Sequence, residues 1–272
     1  MVIRVDSFKF YGVVFFIKDE NILHRSISRY EEKTSMKLRI LLLATFIISL
    51  SFKAQAKERT NLYLLAGQGA DERLFKNLVF SEEYDVHHIE YSTPTYETSL
   101  QEYACTLSSQ IDQTQPFVLL GVSLGGMLAT EMCDFLNPEK TIIIASAKSA
   151  DELPRTFNFQ KKVPLYKLAG KRNVKWGARF LQPIFEPDGR KEKDTYRAML
   201  NDKDPQFLLK TIPMIMTWER KQSCDQIIHI HGTKDHTIPF KNVKSDYIVE
   251  GGSHMMTLVA SEKLNAILSK IL

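Results

Sequence analysis

The sequence predicts an α/β fold, a mostly parallel sheet covered by helices on both faces. Short, continuously apolar segments such as 117–120 and 141–145 alternate along the chain with amphipathic segments. Continuous apolar runs are typical of strands that are buried on both faces, and their alternation with helices is typical of a parallel sheet. The chain has 272 residues, of which 44% are hydrophobic and 25% charged. This composition is that of a globular domain with a large core.

The predicted elements follow one another from residue 61 onward. Strands are expected at residues 61–66, 86–91, 117–120, 141–145, 227–231 and 247–249. Helices are expected from Ser99 to about residue 115, at 127–136 and at 261–272, because apolar side chains recur there at three- and four-residue spacing. Another helix should begin at Asp204-Pro205, where aspartate can cap and proline can take the first helical position.

The alternation lapses between residues 151 and 222, which are basic and rich in aromatic side chains. We interpret this segment as a small helical cap inserted into a core formed by residues 57–150 and 223–272. The cap is expected to roof a mainly apolar pocket. Its large side chains are expected to form the core of the cap more often than to contact a ligand: Phe157, Phe159, Leu165, Tyr166, Trp176, Phe180, Phe185 and Trp218.

Residues 1–56 have the pattern of a leader followed by a signal peptide. Lys37 and Arg39 precede an apolar run, and small residues follow it at positions 54 and 56. Met36 is the predicted start, and cleavage is expected after Ala56, which would export the protein to the periplasm or the medium. The 13 uncharged residues after Arg39 fall short of the roughly 20 that a spanning helix needs. A membrane tether formed by an uncleaved signal is the alternative.

The formal net charge of +4 has its origin in the leader. Without the nine basic and five acidic side chains of residues 1–56, the chain keeps 27 of each sign. A balanced domain offers no basic surface for nucleic acid. The sequence therefore predicts no nucleic-acid partner, and it does not indicate an oligomeric state.

The three cysteines are too few and too scattered for a disulfide framework, and none forms a C-x-x-C pair that could hold zinc. A single bridge could form in an oxidising compartment. Cys133, however, falls on the apolar side of a predicted helix, where we expect a small buried hydrophobe.

The most informative motif is Gly121-Val122-Ser123-Leu124-Gly125. G-x-S-x-G is a weak signal by itself, but here it lies between a predicted strand and a predicted helix. At such a turn the flanking residues must be small and the serine oxygen stands above the sheet. Ser123 is therefore the predicted nucleophile, and the alternative is a glycine-rich turn with an incidental serine.

A serine hydroxyl needs a base to take its proton and a carboxylate to orient that base. Asp235 follows the strand 227–231, and His254 follows the last strand, after two glycines. Because strand ends of an open sheet face the ligand crevice, both are well placed. Asp246 is the rival acid and Asp225 a more distant one.

The other histidines are less suitable as the base. His236 is adjacent to the predicted acid in sequence, and adjacent residues rarely have the geometry of a proton relay. His229 and His231 alternate with isoleucines along a strand, so we expect them to be packed or hydrogen-bonded structural residues.

Cofactor motifs are missing from the sequence. Gly67-Gln68-Gly69 follows a strand, but Glu72 stands where a dinucleotide fingerprint requires glycine or alanine. The chain contains no G-K-[ST] and no H-E-x-x-H. We therefore expect neither a cofactor nor a metal.

With these motifs, residues 57–272 resemble an α/β-hydrolase, and especially small bacterial members of unknown substrate. The matching segments are residues 64–69, 121–126, 231–235 and 252–254, together with Gly69-Ala70-Asp71-Glu72-Arg73 and the segment 204–208. The order Ser, Asp, His is that of the α/β-hydrolase triad. The chain departs from the common pattern in having Ala66 where a histidine often precedes the glycine. The resemblance implies that the amides of Gln68 and Leu124 form an oxyanion hole.

The predicted function is that of a serine hydrolase cleaving an ester, thioester or similar acyl bond of a small molecule through an acyl-enzyme. Two alternatives keep the same fold. One is a non-catalytic binding or sensing protein, since a fold does not determine its function. The other is a lyase or acyltransferase that uses the same site.

Overall fold

A computed structural model of the chain describes residues 6–10, 13–17, 29, 33, 36–38, 40–45, 59–155, 192–222, 224 and 226–272. The chain divides into two compact units, Met1–Glu58 and Arg59–Leu272. Most of the predicted cap lies outside the described residues, including all of its named large side chains except Trp218.

In the first unit, strands β1 (Asp6–Phe10) and β2 (Val13–Ile17) pair antiparallel. The sequence pattern did not predict this pairing. Residues 36–38 and 40–45 are helical and their side chains are exposed. Of the helices that the structure describes, none has both the length and the apolar character needed to cross a bilayer.

The second unit is built on a parallel sheet of six strands in the order β4-β3-β5-β6-β7-β8. The strands are β3 (Thr60–Leu65), β4 (Tyr84–His88), β5 (Phe117–Val122), β6 (Lys140–Ile144), β7 (Ile227–Gly232) and β8 (Tyr247–Val249). All six residues of β5 are buried, which agrees with a central strand covered on both faces. The predicted fold class is confirmed.

Six helices are described in the second unit. They are α1 (Leu100–Leu107), α2 (Leu124–Met132), α3 (Lys193–Asp202), α4 (Pro205–Met216), α5 (Met256–Val259) and α6 (Ser261–Ile271). Short 3-10 helices occupy Glu72–Phe75, Ser108–Gln110, Ala150–Glu152 and Phe240–Asn242. Two hydrophobic clusters form the core, and both include strand residues together with helix residues.

Side-chain caps explain two of the helix starts. The hydroxyl of Ser99 accepts a hydrogen bond from the Glu102 amide, while the Glu102 carboxylate accepts one from the Ser99 amide. This reciprocal capping box satisfies two donors at the start of α1. Asp204 accepts from the Gln206 amide and Pro205 takes the first helical position of α4, as the sequence predicted.

Two helices have bounds that differ from the prediction. Helix α1 ends at Leu107 and not near residue 115, because the chain tightens there into the 3-10 turn 108–110. Helix α2 spans Leu124–Met132 and not residues 127–136. The glycines at 125 and 126 carry no apolar signal, although they belong to the first turn of the helix.

The segment that follows α4 is fixed to the end of α2. The indole Nε1 of Trp218 donates to Glu131 Oε1 at 2.6 Å. The guanidinium of Arg220 makes two bonds, of 2.6 and 2.7 Å, to the two carboxylate oxygens of Asp134. Trp218 is 7% exposed and therefore packs in the core against α2.

A disulfide between Cys133 and Cys224 continues this attachment. The expectation that Cys133 is only a small buried hydrophobe is wrong. Cys133 lies at the C-terminal cap of α2, and its half-buried side chain reaches Cys224, just before β7. Cys105 is a free, exposed thiol.

Replacement of both Cys133 and Cys224 by alanine should lower the free energy of unfolding by about 2–5 kcal/mol, because the bridge closes a long loop, at a sequence separation of 91. Urea denaturation of the oxidised proteins measures the change. Cys105→Ala is the matched control and should unfold like the wild type, since this thiol is exposed and unpaired. Equal stability of the double variant and the control would contradict the expectation.

Candidate active site

Ser123 lies at the turn between β5 and α2, in a strained backbone conformation. Its φ is 53° and its ψ is −119°, outside the usual regions for a residue with a side chain. Two bonds hold this conformation: the Ser123 amide donates to the Ile144 carbonyl at 3.0 Å, and the Ser146 hydroxyl donates to the Ser123 carbonyl at 2.7 Å. The strain places the serine side chain at the carboxyl edge of the sheet.

The flanking glycines are needed because this turn has no room for side chains. A Cβ on Gly121 would lie 2.2 Å from the Gly125 carbonyl oxygen, and one on Gly125 would lie 2.0 Å from the Leu65 carbonyl oxygen. Both distances are far below contact between non-bonded atoms. The G-x-S-x-G spacing is therefore a steric requirement of this fold.

Asp235 lies in the turn that follows β7, and its side chain is fully buried. Carboxylate oxygen Oδ1 accepts from the amides of Thr237 at 2.9 Å and Ile238 at 2.8 Å. The other oxygen, Oδ2, accepts from His254 Nδ1 at 2.8 Å. These three hydrogen bonds hold the Asp235 carboxylate in a fixed orientation.

The His254 loop is joined to the Asp235 loop through the main chain. The Lys234 amide donates to the Gly252 carbonyl at 2.9 Å, and the Thr233 amide donates to the Val249 carbonyl at 3.2 Å. A Cβ on Gly232 would lie 2.2 Å from the Gly252 carbonyl oxygen. The two loops are thus in direct contact, and this contact fixes the position of the imidazole.

Ser123, His254 and Asp235 form one continuous hydrogen-bonded chain. Because the Asp235 carboxylate can only accept, His254 Nδ1 carries the hydrogen of that bond. In the tautomer that this bond requires, the lone pair of the neutral form of the ring is on Nε2, which lies 2.9 Å from Ser123 Oγ. This is the geometry in which a base can take a serine proton.

The first loop contributes the second predicted oxyanion donor. Gly67-Gln68-Gly69-Ala70 forms a turn closed by the Ala70 amide on the Gly67 carbonyl at 3.1 Å, with Gly69 at φ 77°. A Cβ on Gly67 would lie 3.3 Å from Ser123 Cβ, so the loop borders the serine. Ala66, which replaces the usual histidine, is buried, and its carbonyl accepts from the Tyr91 hydroxyl at 2.8 Å.

The Leu124 amide belongs to the first turn of α2, where helical N–H groups have no partner within the helix. Within the described part of the chain, neither this amide nor that of Gln68 donates to a protein acceptor. The adjoining helix N-terminus adds a favourable field for negative charge. Their oxyanion role stays a prediction.

Two histidines behind Asp235 form a buried pair. His231 Nε2 lies 2.9 Å from the Ile238 carbonyl, which can only accept, and 3.4 Å from Asp235 Oδ2. His231 Nε2 therefore carries a hydrogen, and its Nδ1 accepts from His229 Nε2 at 3.0 Å. His229 Nδ1 is left without a hydrogen and has no partner among the described residues. Both rings support the site from behind, in agreement with the prediction that they are structural.

Burial keeps both rings neutral. Burial is the largest of the effects that lower the pKa of His229 to about 3; the neighbouring His231 and Lys148 act in the same direction, and main-chain groups of Lys244 and Ser146 oppose them. Burial also lowers the pKa of His231, against an opposing effect from Asp235. A positive charge on either ring would lack the stabilisation that water gives to an exposed imidazolium.

Two of the rival residues, His236 and Asp246, do not take part in the hydrogen-bonded chain of Ser123, His254 and Asp235. His236 is exposed, whereas Asp246 accepts from the His229 amide at 2.8 Å and so ends near β7, away from the imidazole of His254. Asp225 lies outside the described residues.

Sequence reasoning missed several supporting residues. Ser146 follows β6, the neighbour of the nucleophile strand, and this position was the signal that could have identified it. His231 was expected to be structural, but its contact with the acid was not predicted; it precedes Asp235 by four residues, near the end of β7. Thr211 binds the Gln68 side chain, and no local pattern indicates that pairing.

The fold and the site define a class of protein. The model of the alpha/beta hydrolase family matches residues 47–267, and the chain belongs to this family. The sequence matches none of the curated proteins with which it was compared.

Solved structures show the same fold at low identity. The esterase EaEST from Exiguobacterium antarcticum is 16% identical, with a TM-score of 0.59, over 78% of this chain and 91% of that one. MenH from S. aureus is 14% identical, with a TM-score of 0.60, over 78% and 93%. The enol-lactonase from Burkholderia xenovorans LB400 is 14% identical, with a TM-score of 0.59, over 78% and 90%. This chain is thus a hydrolase-type α/β protein.

Acidification should destabilise the protein through its buried histidines. The pKa of His229 is near 3 in the folded chain and about 6.5 in the unfolded chain, so below about pH 6.5 the unfolded chain binds the extra proton. Its contribution to stability is complete above that pH and is lost as the pH falls towards 3. Between pH 7.5 and 5.5 the loss from His229 is about 1 kcal/mol.

Urea denaturation of the wild type and of His229→Gln at the two pH values measures this contribution. Glutamine keeps a donor for His231 but does not titrate, so the free energy of unfolding should fall by about 1 kcal/mol less in the variant. His236→Gln, at an exposed position, is the control and should follow the wild type. An identical pH dependence for His229→Gln and the wild type would refute the assignment.

Proposed function

We propose that this protein is a serine hydrolase that cleaves the ester, thioester or similar acyl bond of a small-molecule substrate. The proposal is carried by one observation, the continuous chain from Ser123 Oγ through His254 to Asp235, with bonds of 2.9 and 2.8 Å. A base 2.9 Å from a serine hydroxyl, with its ring fixed by a buried carboxylate, is suited to nucleophilic catalysis. The strained conformation of Ser123 also supports the proposal, because it keeps the hydroxyl at the sheet edge beside the base.

In the proposed reaction, His254 Nε2 takes the proton of Ser123 while Oγ bonds to the acyl carbon. The carbonyl oxygen becomes negatively charged and is bound by the amides of Gln68 and Leu124. Collapse of this intermediate breaks the bond to the alcohol or thiol, which leaves with the proton held by His254. An acyl-serine ester remains.

Water then completes the cycle on the same residues. His254 takes a proton from water, and the oxygen of that water attacks the acyl carbon. Collapse of the second intermediate breaks the bond between the acyl carbon and Ser123 Oγ, which takes the proton from His254, and the carboxylic acid is released. Asp235 accepts from His254 Nδ1 throughout, which stabilises the protonated imidazole in both halves of the reaction.

We also propose that the protein is exported. Lys37 and Arg39, the apolar run that follows them and the small residues up to Ala56 support a cleavable signal. The Cys133–Cys224 bridge supports an oxidising destination, since disulfides are rare in a reducing cytosol.

A first test examines the nucleophile. The wild type should hydrolyse short p-nitrophenyl esters and react once with a fluorophosphonate probe, located at Ser123 by peptide mass spectrometry. Ser123→Ala should abolish labelling and lower kcat by about 10⁴-fold or more, because the triad acts as a unit.

A second pair of variants separates the base from its neighbour. His254→Gln should be as impaired as Ser123→Ala, whereas His236→Gln, at an exposed position, should keep wild-type activity. If the folded wild type neither hydrolysed any ester of an acyl-chain series nor took up the probe, the proposal would be wrong. Ligand-induced thermal stabilisation without turnover would then favour a binding protein.

Export has its own test. Expression of the full chain in a Gram-negative host should yield a periplasmic or secreted form whose N-terminal residue is Lys57, read by intact mass and N-terminal sequencing. Lys37→Glu/Arg39→Glu should retain the chain in the cytoplasm, because the positive charge before the apolar run is lost. An uncleaved wild type found with the membrane fraction would favour the tethered alternative.

A further inference from the structure

The side chain of Gln68 points away from Ser123 and reaches helix α4. Its amide Nε2 lies 2.7 Å from Thr211 Oγ1 and 3.1 Å from the Leu208 carbonyl. Thr211 is fully buried, and its hydroxyl donates to the Phe207 carbonyl at 2.8 Å. The lone pair of the hydroxyl therefore faces Gln68, and both N–H groups of the Gln68 amide have acceptors on α4.

The Gln68 loop is held between the serine and helices α3 and α4. On one side, a Cβ at Gly67 would lie 3.3 Å from Ser123 Cβ. On the other, a Cβ at Gly69 would lie 3.4 Å from Leu200 and 3.5 Å from Leu208. A displacement of α4 would therefore be transmitted to the loop through the Gln68 side chain and through these contacts.

The main-chain amide of Gln68 depends on this arrangement. The turn around it is closed by one hydrogen bond, from the Ala70 amide to the Gly67 carbonyl. Gly69, at φ 77°, adds little steric restraint because glycine has no Cβ. The side-chain bonds to α4 are a second restraint on the same residue. An oxyanion donor is effective only when it is aimed in advance at the developing charge.

We propose that Thr211 is a positioning residue: it acts through the side chain of Gln68 to aim the Gln68 amide at the oxyanion. The inference rests on the proposed hydrolase function and extends it. The cap-side helix α4 then helps to set the rate of catalysis and does not serve only as a cover.

A role in stability alone makes a different prediction. If the Gln68–Thr211 bond only fastened α4 to the core, its loss would lower the melting temperature and leave the rate per folded molecule unchanged. A positioning role lowers that rate and weakens the binding of analogues that form an oxyanion, while ground-state binding is kept.

Thr211→Val in the full chain is the main test, because valine has the same shape and lacks the hydroxyl. With a p-nitrophenyl ester, kcat/KM should fall by roughly 10- to 100-fold, less than the 10²- to 10³-fold typical of losing a whole oxyanion donor. The inhibition constant of a trifluoromethyl ketone, which forms an oxyanion on the serine, should weaken by a similar factor. A competitive product acid should bind equally well to both proteins.

Three further variants serve as controls. Thr217→Val makes the same change at the end of α4, where the hydroxyl bonds the Pro213 carbonyl at 2.9 Å, and should keep wild-type kcat/KM. Thr211→Ser retains the hydroxyl and should restore most of the activity. Gln68→Met removes the bond from the loop side, and combining it with Thr211→Val should cause little additional loss, since both act on one interaction.

The outcomes are separable. If the wild type is active and both Thr211→Val and Gln68→Met, folded by circular dichroism, keep its kcat/KM and ketone affinity, the positioning role is overturned and the hydrolase function stands. If Thr211→Val does not fold, Gln68→Met decides in the same way. If the wild type neither turns over esters nor labels at Ser123, the proposed function fails and this inference fails with it.

Discussion

The close packing of backbone against backbone at the β5–α2 turn is the constraint on which the rest of the site depends. Gly125 lies so near the Leu65 carbonyl, and Gly121 so near Gly125, that a single methyl group would overlap main-chain atoms. This contact leaves Ser123 no ordinary backbone conformation, and its φ of 53° follows. A serine held in this way cannot be withdrawn into the helix, so its hydroxyl stays at the sheet edge that the other loops also reach.

The parallel sheet supplies the other half of the arrangement. Strands β5, β6, β7 and β8 are consecutive neighbours in the sheet, and each pair is parallel. The carboxyl ends of β5, β7 and β8 therefore lie at the same edge. Asp235 and His254 are then only one loop away from Ser123, although the aspartate lies more than a hundred residues downstream. The main-chain contacts between the acid loop and the base loop turn this proximity into fixed distances, and the neutral pair His229–His231 fills the space behind the carboxylate without adding charge.

The sequence allowed prediction of the features that have a local chemical cause. Apolar runs gave the strands, Ser99 and Asp204 marked two helix starts, and steric demand at the G-x-S-x-G turn singled out Ser123. Features made by residues distant in sequence were missed or misjudged. The Cys133–Cys224 bridge needs the chain to return from the cap to the end of α2, and the Gln68–Thr211 bond spans 143 positions. Neither partner carries a signal of the other, because composition and periodicity report only a residue's immediate surroundings.

These distant pairings all attach one stretch of chain, from α4 to Cys224, to the elements that carry the candidate site. This stretch contacts the scaffold of the candidate site at two places: Thr211 on the Gln68 loop, and Arg220 with Cys224 on the C-terminal end of helix α2. Helix α2, which carries Ser123 at its start, is thus held at its end by the same stretch of chain that holds Gln68. A displacement of this stretch would therefore act on α2 and on the Gln68 loop together. Because these two elements bear the two amides predicted to bind an oxyanion, the relative position of the amides depends on contacts with residues far from Ser123 in sequence.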